Sequence, residues 1–166
     1  MPVAFRNVDA SPTDDVRTWP YEAIVTMIDR GLVGDWQPIF AEFRRSPWGN
    51  VARRVEQYLS YREPDGVSTL FALAIERART DAEHADRAEV AARIRNAVTG
   101  SGLTSAEFAR LVGTSASRLS TYLSGKVTPS SAMLVRIERA ARDLQHISNG
   151  ATRVMLGVPK QAVQQK

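Results

Sequence analysis

Residues 103–129 read LTSAEFARLVGTSASRLSTYLSGKVTP, and two short helices joined by a tight turn account for each position. Thr104 is placed to cap the first helix, and Glu107 three residues on completes a capping box. Phe108, Leu111 and Val112 form its apolar stripe, while Ala109 stays small where a second helix must cross closely. Gly113 ends it, because the residue after a helix that must take positive φ is most easily glycine. Thr114 or Ser115 caps the next helix, which is expected to run to about Ser124 with Leu119, Tyr122 and Leu123 inward. Gly125 closes it, and Pro129 lies beyond.

Such a pair is the shape whose second helix enters the DNA major groove. An ordinary helical hairpin is the alternative, but a hairpin needs only the apolar stripe. Here Ser115, Ala116, Ser117, Arg118, Ser120 and Thr121 line the outward face with hydroxyls, one methyl and one guanidinium, and no acidic group. Short polar side chains let a helix sit deep in a groove and reach base edges. Arg118 suits guanine O6/N7 or a phosphate, and the bland alternative for the serines and Thr121 is a solvated face or a cap.

The segment from about Ala85 to Leu144 resembles the Cro/C1-repressor type of helix-turn-helix domain, the XRE family. The resemblance is carried by Ala106-Glu107-Phe108-Ala109, Val112-Gly113-Thr114, Leu119, Ser124-Gly125-Lys126 and Pro129. It implies a five-helix domain with Ala116, Ser117 and Thr121 facing bases and Ser115 and Arg118 beside them. Ser105 and Lys126 match positions that hold the DNA backbone, and Thr114 at the helix entrance is grouped with them. Ala116 and Ser117 stand where some members carry long amides, which implies a share for thymine-methyl contacts and DNA shape.

Charge is divided along the chain. Residues 84–166 hold twelve Lys/Arg against five Asp/Glu, and residues 1–83 hold ten against thirteen. No acidic residue falls between Glu107 and Glu138, whereas Arg110, Arg118, Lys126 and Arg136 do. A basic half suits a polyanion, although the predominance of Arg over Lys also fits a compositional bias. The absence of cysteine excludes disulfides, thiolate metal sites and cysteine nucleophiles. No apolar run approaches the ~20 residues of a membrane span, and the start lacks a secretory h-region. A cytoplasmic protein is expected, away from membranes.

Working toward the N-terminus, residues 79–93 are charged or alanine-rich, and no Gly or Pro falls between Ser68 and Thr99. One long helix capped by Ser68 is the simplest reading, with a break near Thr80–Ala85 as the alternative. Its end, with Val90, Ile94 and Val98, would open the helix-turn-helix domain. Before it come three helices: one capped by Thr18 with Pro20 in its first turn, one over about Asp35–Arg45, and one opened by Ser46-Pro47. Ten of the twelve aromatics precede residue 84, which suits a folded core there. Trp48 is a candidate exposed aromatic. After the reading helix, Ser130 or Ser131 caps a helix carrying Met133, Leu134, Ile137 and Ala141, and residues 145–157 add another turn and a half.

The expected fold is therefore all-α, an N-terminal helical module joined by a long helix to the helix-turn-helix domain. The divisions are a flexible arm over 1–17, with docking of Phe5 and Val8 as the alternative, the module at 18–83, the DNA-binding domain at 84–150 and a loose tail at 151–166. Neither His84 nor His146 has a second ligand at a metal spacing, and neither a phosphate loop nor a nucleophile elbow occurs. No enzyme activity, metal or cofactor is expected. Three functions stay open on sequence. The first is a sequence-specific regulator, a repressor, binding double-stranded DNA as a homodimer. The second is an antitoxin that autoregulates through the same domain and covers a toxin with residues 18–83. That layout, with SPWG at 46–49 and SASRLSTYLSGK at 115–126, loosely resembles small regulators paired with nucleotidyltransferase-type toxins. The third is an adaptor that uses the fold for protein contacts.

Overall fold

A computed structural model describes residue 5 and residues 8–155, with side chains followed to residue 148. Every regular element among them is helical. The chain divides into two compact units, Met1–Ala85 and Asp86–Lys166.

The first unit is organised by its large side chains. Helices α1 (Tyr21–Arg30), α2 (Gln37–Arg45) and α3 (Asn50–Leu59) start at Pro20, Trp36 and Gly49, none of which makes a side-chain cap. Burial holds them instead. Trp19, Ile24, Ile28, Ile39, Phe43, Val55 and Phe71 are fully enclosed. Phe71 meets Trp36, Phe40 and Phe43 at ring-centre distances of 5.3, 5.0 and 6.3 Å. The Trp36 indole has its polar edge satisfied, since Nε1 donates to the Met27 carbonyl at 2.9 Å.

Four local expectations change. Thr18 does not cap α1. It ends a 3-10 turn, Val16–Thr18, that Asp15 caps, and its hydroxyl donates to the Asp15 carbonyl. The helices expected from Asp35 and from Ser46-Pro47 begin later, at Gln37 and Asn50. Asp35 accepts the Leu32 N–H, and Ser46 accepts the Gly49 N–H through its carbonyl. The long helix α4 (Gly66–Gly100) is entered from Asp65, whose carboxylate accepts the Ser68 N–H at 2.7 Å while the Ser68 hydroxyl accepts the Asp65 N–H at 2.8 Å. The reciprocal pair starts the helix two residues before Ser68.

Residues 5 and 8–17 pack on this unit rather than forming a flexible arm. Phe5 stands edge-on to Trp19 at 5.2 Å, Val8 and Ala10 lie against the core, and Val16 is buried. Trp19 Nε1 donates to the Asp14 carbonyl, so the indole anchors the segment that precedes it.

α4 is helical throughout Thr80–Ala85. Phe71, Ile75 and Ala78 serve the first core, whereas Ala91, Ile94, Ala97 and Val98 are buried in the second unit. Leu70 and Leu73 of the same helix are exposed. The second unit adds α5 (Ser105–Val112), α6 (Ala116–Leu123) and α7 (Ser131–Met155). Its core joins Ile94, Phe108, Val112, Leu119 and Ile137. Among the described residues the unit shows four helical segments, the end of α4 with α5, α6 and α7, and α7 runs on past residue 145 without a break. Gly157 and the tail PKQAVQQK lie outside the described residues.

Candidate nucleic-acid interface

Local chemistry builds α5 and α6. Thr104 accepts the Glu107 N–H at 3.3 Å, and Glu107 Oε2 returns by accepting the Thr104 N–H at 2.8 Å and its hydroxyl at 2.6 Å. The Thr104 hydroxyl and N–H hold the Glu107 carboxyl below its ordinary pKa, since each bond favours the charged form. Gly113 turns the chain at φ 75°, a left-handed conformation that a side chain would strain. Ser115, rather than Thr114, is the N-cap of α6: its Oγ accepts the Arg118 N–H at 3.1 Å. Leu119 and Tyr122 point into the core. Gly125 follows at φ 72°, a second left-handed position, and a Cβ there would lie in ordinary contact with the Ala91 methyl at 3.6 Å.

Two arginines from outside the pair grip its carbonyl ends. Arg136 of α7 donates from Nη1 to the Val112 carbonyl at 3.2 Å, and Arg95 of α4 donates from Nη1 to the Leu123 carbonyl at 2.6 Å. Each places a cation at the negative end of a helix. A third, Arg93, pairs with Glu138 across α4 and α7. These contacts separate cations that build the domain from those its surface presents.

Residues 77–142 match a protein family described as a helix-turn-helix domain. That segment is a helix-turn-helix domain. The match is consistent with the Cro/C1-type resemblance carried by Ala106 through Pro129, and it leaves the chain up to residue 76 outside it. No curated protein and no solved structure matches the chain.

Within the helix-turn-helix domain, the nominated residues fall into two groups. Ala116, Ser117 and Arg118 are exposed along the first turn of α6, and Ser105 and Lys126 are exposed at the start of α5 and beyond the end of α6. Thr114 is half-buried in the turn. The side chains of Ser105, Thr114, Ser117 and Lys126 make no hydrogen bond among the described residues. Ser115, Thr121 and Arg118 are instead bound to one another's backbone or side chains. The Ser115 oxygen is engaged as the cap, keeping its own proton to donate. The Thr121 hydroxyl donates to the Arg118 carbonyl at 2.7 Å, which leaves a lone pair and a methyl for an outside partner. Arg118 Nε donates to the Tyr122 hydroxyl at 3.1 Å.

Tyr122, Arg95 and Arg136 make contacts around α5 and α6 that no local sequence signal marks. Tyr122 is inward as expected, and its hydroxyl also accepts the Arg118 Nε–H. Arg136, one of the cations of the stretch between Glu107 and Glu138, turns a donor to the Val112 carbonyl. Among the described residues no group of three or more His, Cys, Asp or Glu is placed to hold a metal, and no helix is long and apolar enough to cross a membrane.

Proposed function

We propose that this protein is a sequence-specific regulator of transcription, a repressor that binds double-stranded DNA as a homodimer from the cytoplasm. The observation that carries the reading is the outward surface of α6. It presents Ala116, Ser117 and the guanidinium of Arg118 with no carboxylate, on a helix-turn-helix domain whose two helices are fixed by their own caps. Small side chains admit the helix to the major groove, and Arg supplies a bidentate donor for guanine or phosphate. Ser105, Thr114 and Lys126 supply positioning contacts to the DNA backbone. A single reading helix buries too little surface for tight specific binding, which favours two copies on a palindrome.

Enrichment of a randomised duplex pool on the full chain tests this reading, followed by titration of the enriched duplex and of a scrambled one. Arg118→Ala is expected to cost about 1–3 kcal/mol on the enriched site alone if the guanidinium reads a base. If it holds a phosphate, affinity falls alike on both duplexes and the salt slope becomes shallower. An unchanged isotherm on both removes Arg118 from the interface.

A second reading, that of an antitoxin, is favoured by apolar surface on the N-terminal unit. Leu70 and Leu73, one turn apart on α4, are 41% and 58% exposed, and Trp48 is 50% exposed. Under this reading the unit covers a toxin while the helix-turn-helix domain controls the operon. It predicts a stoichiometric complex with the product of an adjacent reading frame, lost in Leu73→Glu with DNA binding intact. Failure of the two products to associate leaves the plain regulator.

A further inference from the structure

Arg118 is held at its backbone and, through one bond, at its side chain. Its N–H is held by Ser115 Oγ at 3.1 Å, its carbonyl accepts the Thr121 hydroxyl at 2.7 Å, and its Nε donates to Tyr122 Oη at 3.1 Å. The Tyr122 ring is 5% exposed and packed in the core that contains Leu119 and Phe108, so the hydroxyl is a fixed post rather than a mobile partner. No described residue takes the Nη edge. We infer that Tyr122 is a specificity-determining positioning residue, which orients Arg118 so that only the Nη1/Nη2 edge is offered to the DNA.

The chemistry follows from guanidinium geometry. An arginine can grip a pair of acceptors side-on, through Nε and one Nη, or end-on, through both Nη groups. The phenol occupies Nε and so disfavours the side-on mode. It also removes part of the rotamer freedom that a long side chain otherwise loses on binding. An end-on fork of fixed direction matches the paired O6 and N7 acceptors of guanine, which commits Arg118 to one base position. A freely swinging arginine would instead share its time among neighbouring bases and phosphates. The Tyr122 hydroxyl acts through Arg118 and need not touch DNA.

This inference rests on the DNA-binding reading, and one experiment separates the two. The full chain selects a site from a randomised duplex pool, and the probes are that duplex, its single-base variants and a scrambled duplex. Tyr122→Phe keeps the ring and removes only the oxygen. It is expected to lower discrimination about tenfold at a single base pair, the one relaxed by Arg118→Ala, with affinity for the scrambled duplex unchanged. The double variant is expected to be no worse there than Arg118→Ala alone. Arg118→Met supplies the control against a packing effect, since a thioether has no N–H for the phenol to hold. In that background Tyr122→Phe is expected to change nothing, and a further loss would overturn the inference by showing that Tyr122 acts through the core. Full discrimination retained by Tyr122→Phe in the native background overturns it as well. Failure of the unaltered chain to select any duplex would overturn the DNA-binding reading first, and this inference with it.

Discussion

The two units hold their helices by opposite means. In the N-terminal unit α1, α2 and α3 begin without side-chain caps, and a cluster of four aromatic rings fixes where they lie. In the helix-turn-helix domain the eight-residue helices α5 and α6 are each capped by a hydroxyl at the start and gripped by an arginine at the end. Helices this short are marginal alone. A surface that must present side chains at fixed spacing gains from local bonds that set each terminus. A unit whose work is to be a body gains more from buried area.

That contrast implies its largest break at Trp36. Trp36→Ala removes a buried indole, its ring contacts and its bond to Met27, and is expected to cost the N-terminal unit about 3–5 kcal/mol. All three tryptophans precede residue 84, so the fluorescence of Trp19 and Trp48 in urea reports this unit. Base selection by the helix-turn-helix domain should persist. Its loss together with the fluorescence transition would show that the two cores do not stand independently.

The same contrast explains what could be read in advance. At α5 and α6 the signals are local: a hydroxyl, a glutamate three residues on, and a glycine that takes positive φ. Thr104, Glu107 and Gly113 stand in those roles, and the remaining choice between Thr114 and Ser115 fell to the residue whose oxygen reaches the Arg118 N–H. In the N-terminal unit the same vocabulary misled. Thr18 looks like a cap but spends its hydroxyl on the 3-10 turn before α1. Ser68 looks like a cap but answers Asp65, which lies three residues upstream. Leu70 and Leu73 fit a helical period, yet Phe71, Ile75 and Ala78 take the buried side. Arg95 and Arg136 were illegible for a different reason: their partners, Leu123 and Val112, are 28 and 24 residues away, and no local pattern marks such a pairing.

A mid-sized effect would sharpen the account of α6. Ser115→Ala removes its N-cap and is expected to cost about 1 kcal/mol of thermal stability. Arg95→Ala removes the grip on the Leu123 carbonyl, and because that bond is exposed its cost is expected at about 1 kcal/mol as well. The two bonds sit at opposite ends of one helix and share no partner, so the costs should add within about 0.5 kcal/mol. Amide exchange along α6 is the sensitive measurement. Protection lost only near the altered end in each variant supports independent termini, while uniform loss from Arg95→Ala would make that arginine the principal support of the helix.

The smallest expected effect is acid lability, which has the same sign in both units and rests on different carboxyls in each. Asp65 is lowered from 3.8 to about 2, first by the Ser68 N–H and then by the Arg62 guanidinium. Asp15 falls from 3.8 to about 2 as well, chiefly through its bonds to Arg17. Both lie in the N-terminal unit, whereas the helix-turn-helix domain has the lowered carboxyl of Glu107. A carboxyl whose pKa drops on folding adds stability that is complete above its unfolded value. That stability is lost as pH falls through the folded one. For Asp65 and Asp15 the window is about pH 4 to 2. Asp65→Asn keeps a competent N-cap but cannot titrate, so it should flatten the decline of the tryptophan-monitored melting temperature across that window. Both carboxylates are exposed, and salt should shrink the difference. A variant that declines as steeply as the unaltered chain would move the acid response from this cap to Asp15, and the entrance to α4 would then depend on burial like the other helices of its unit.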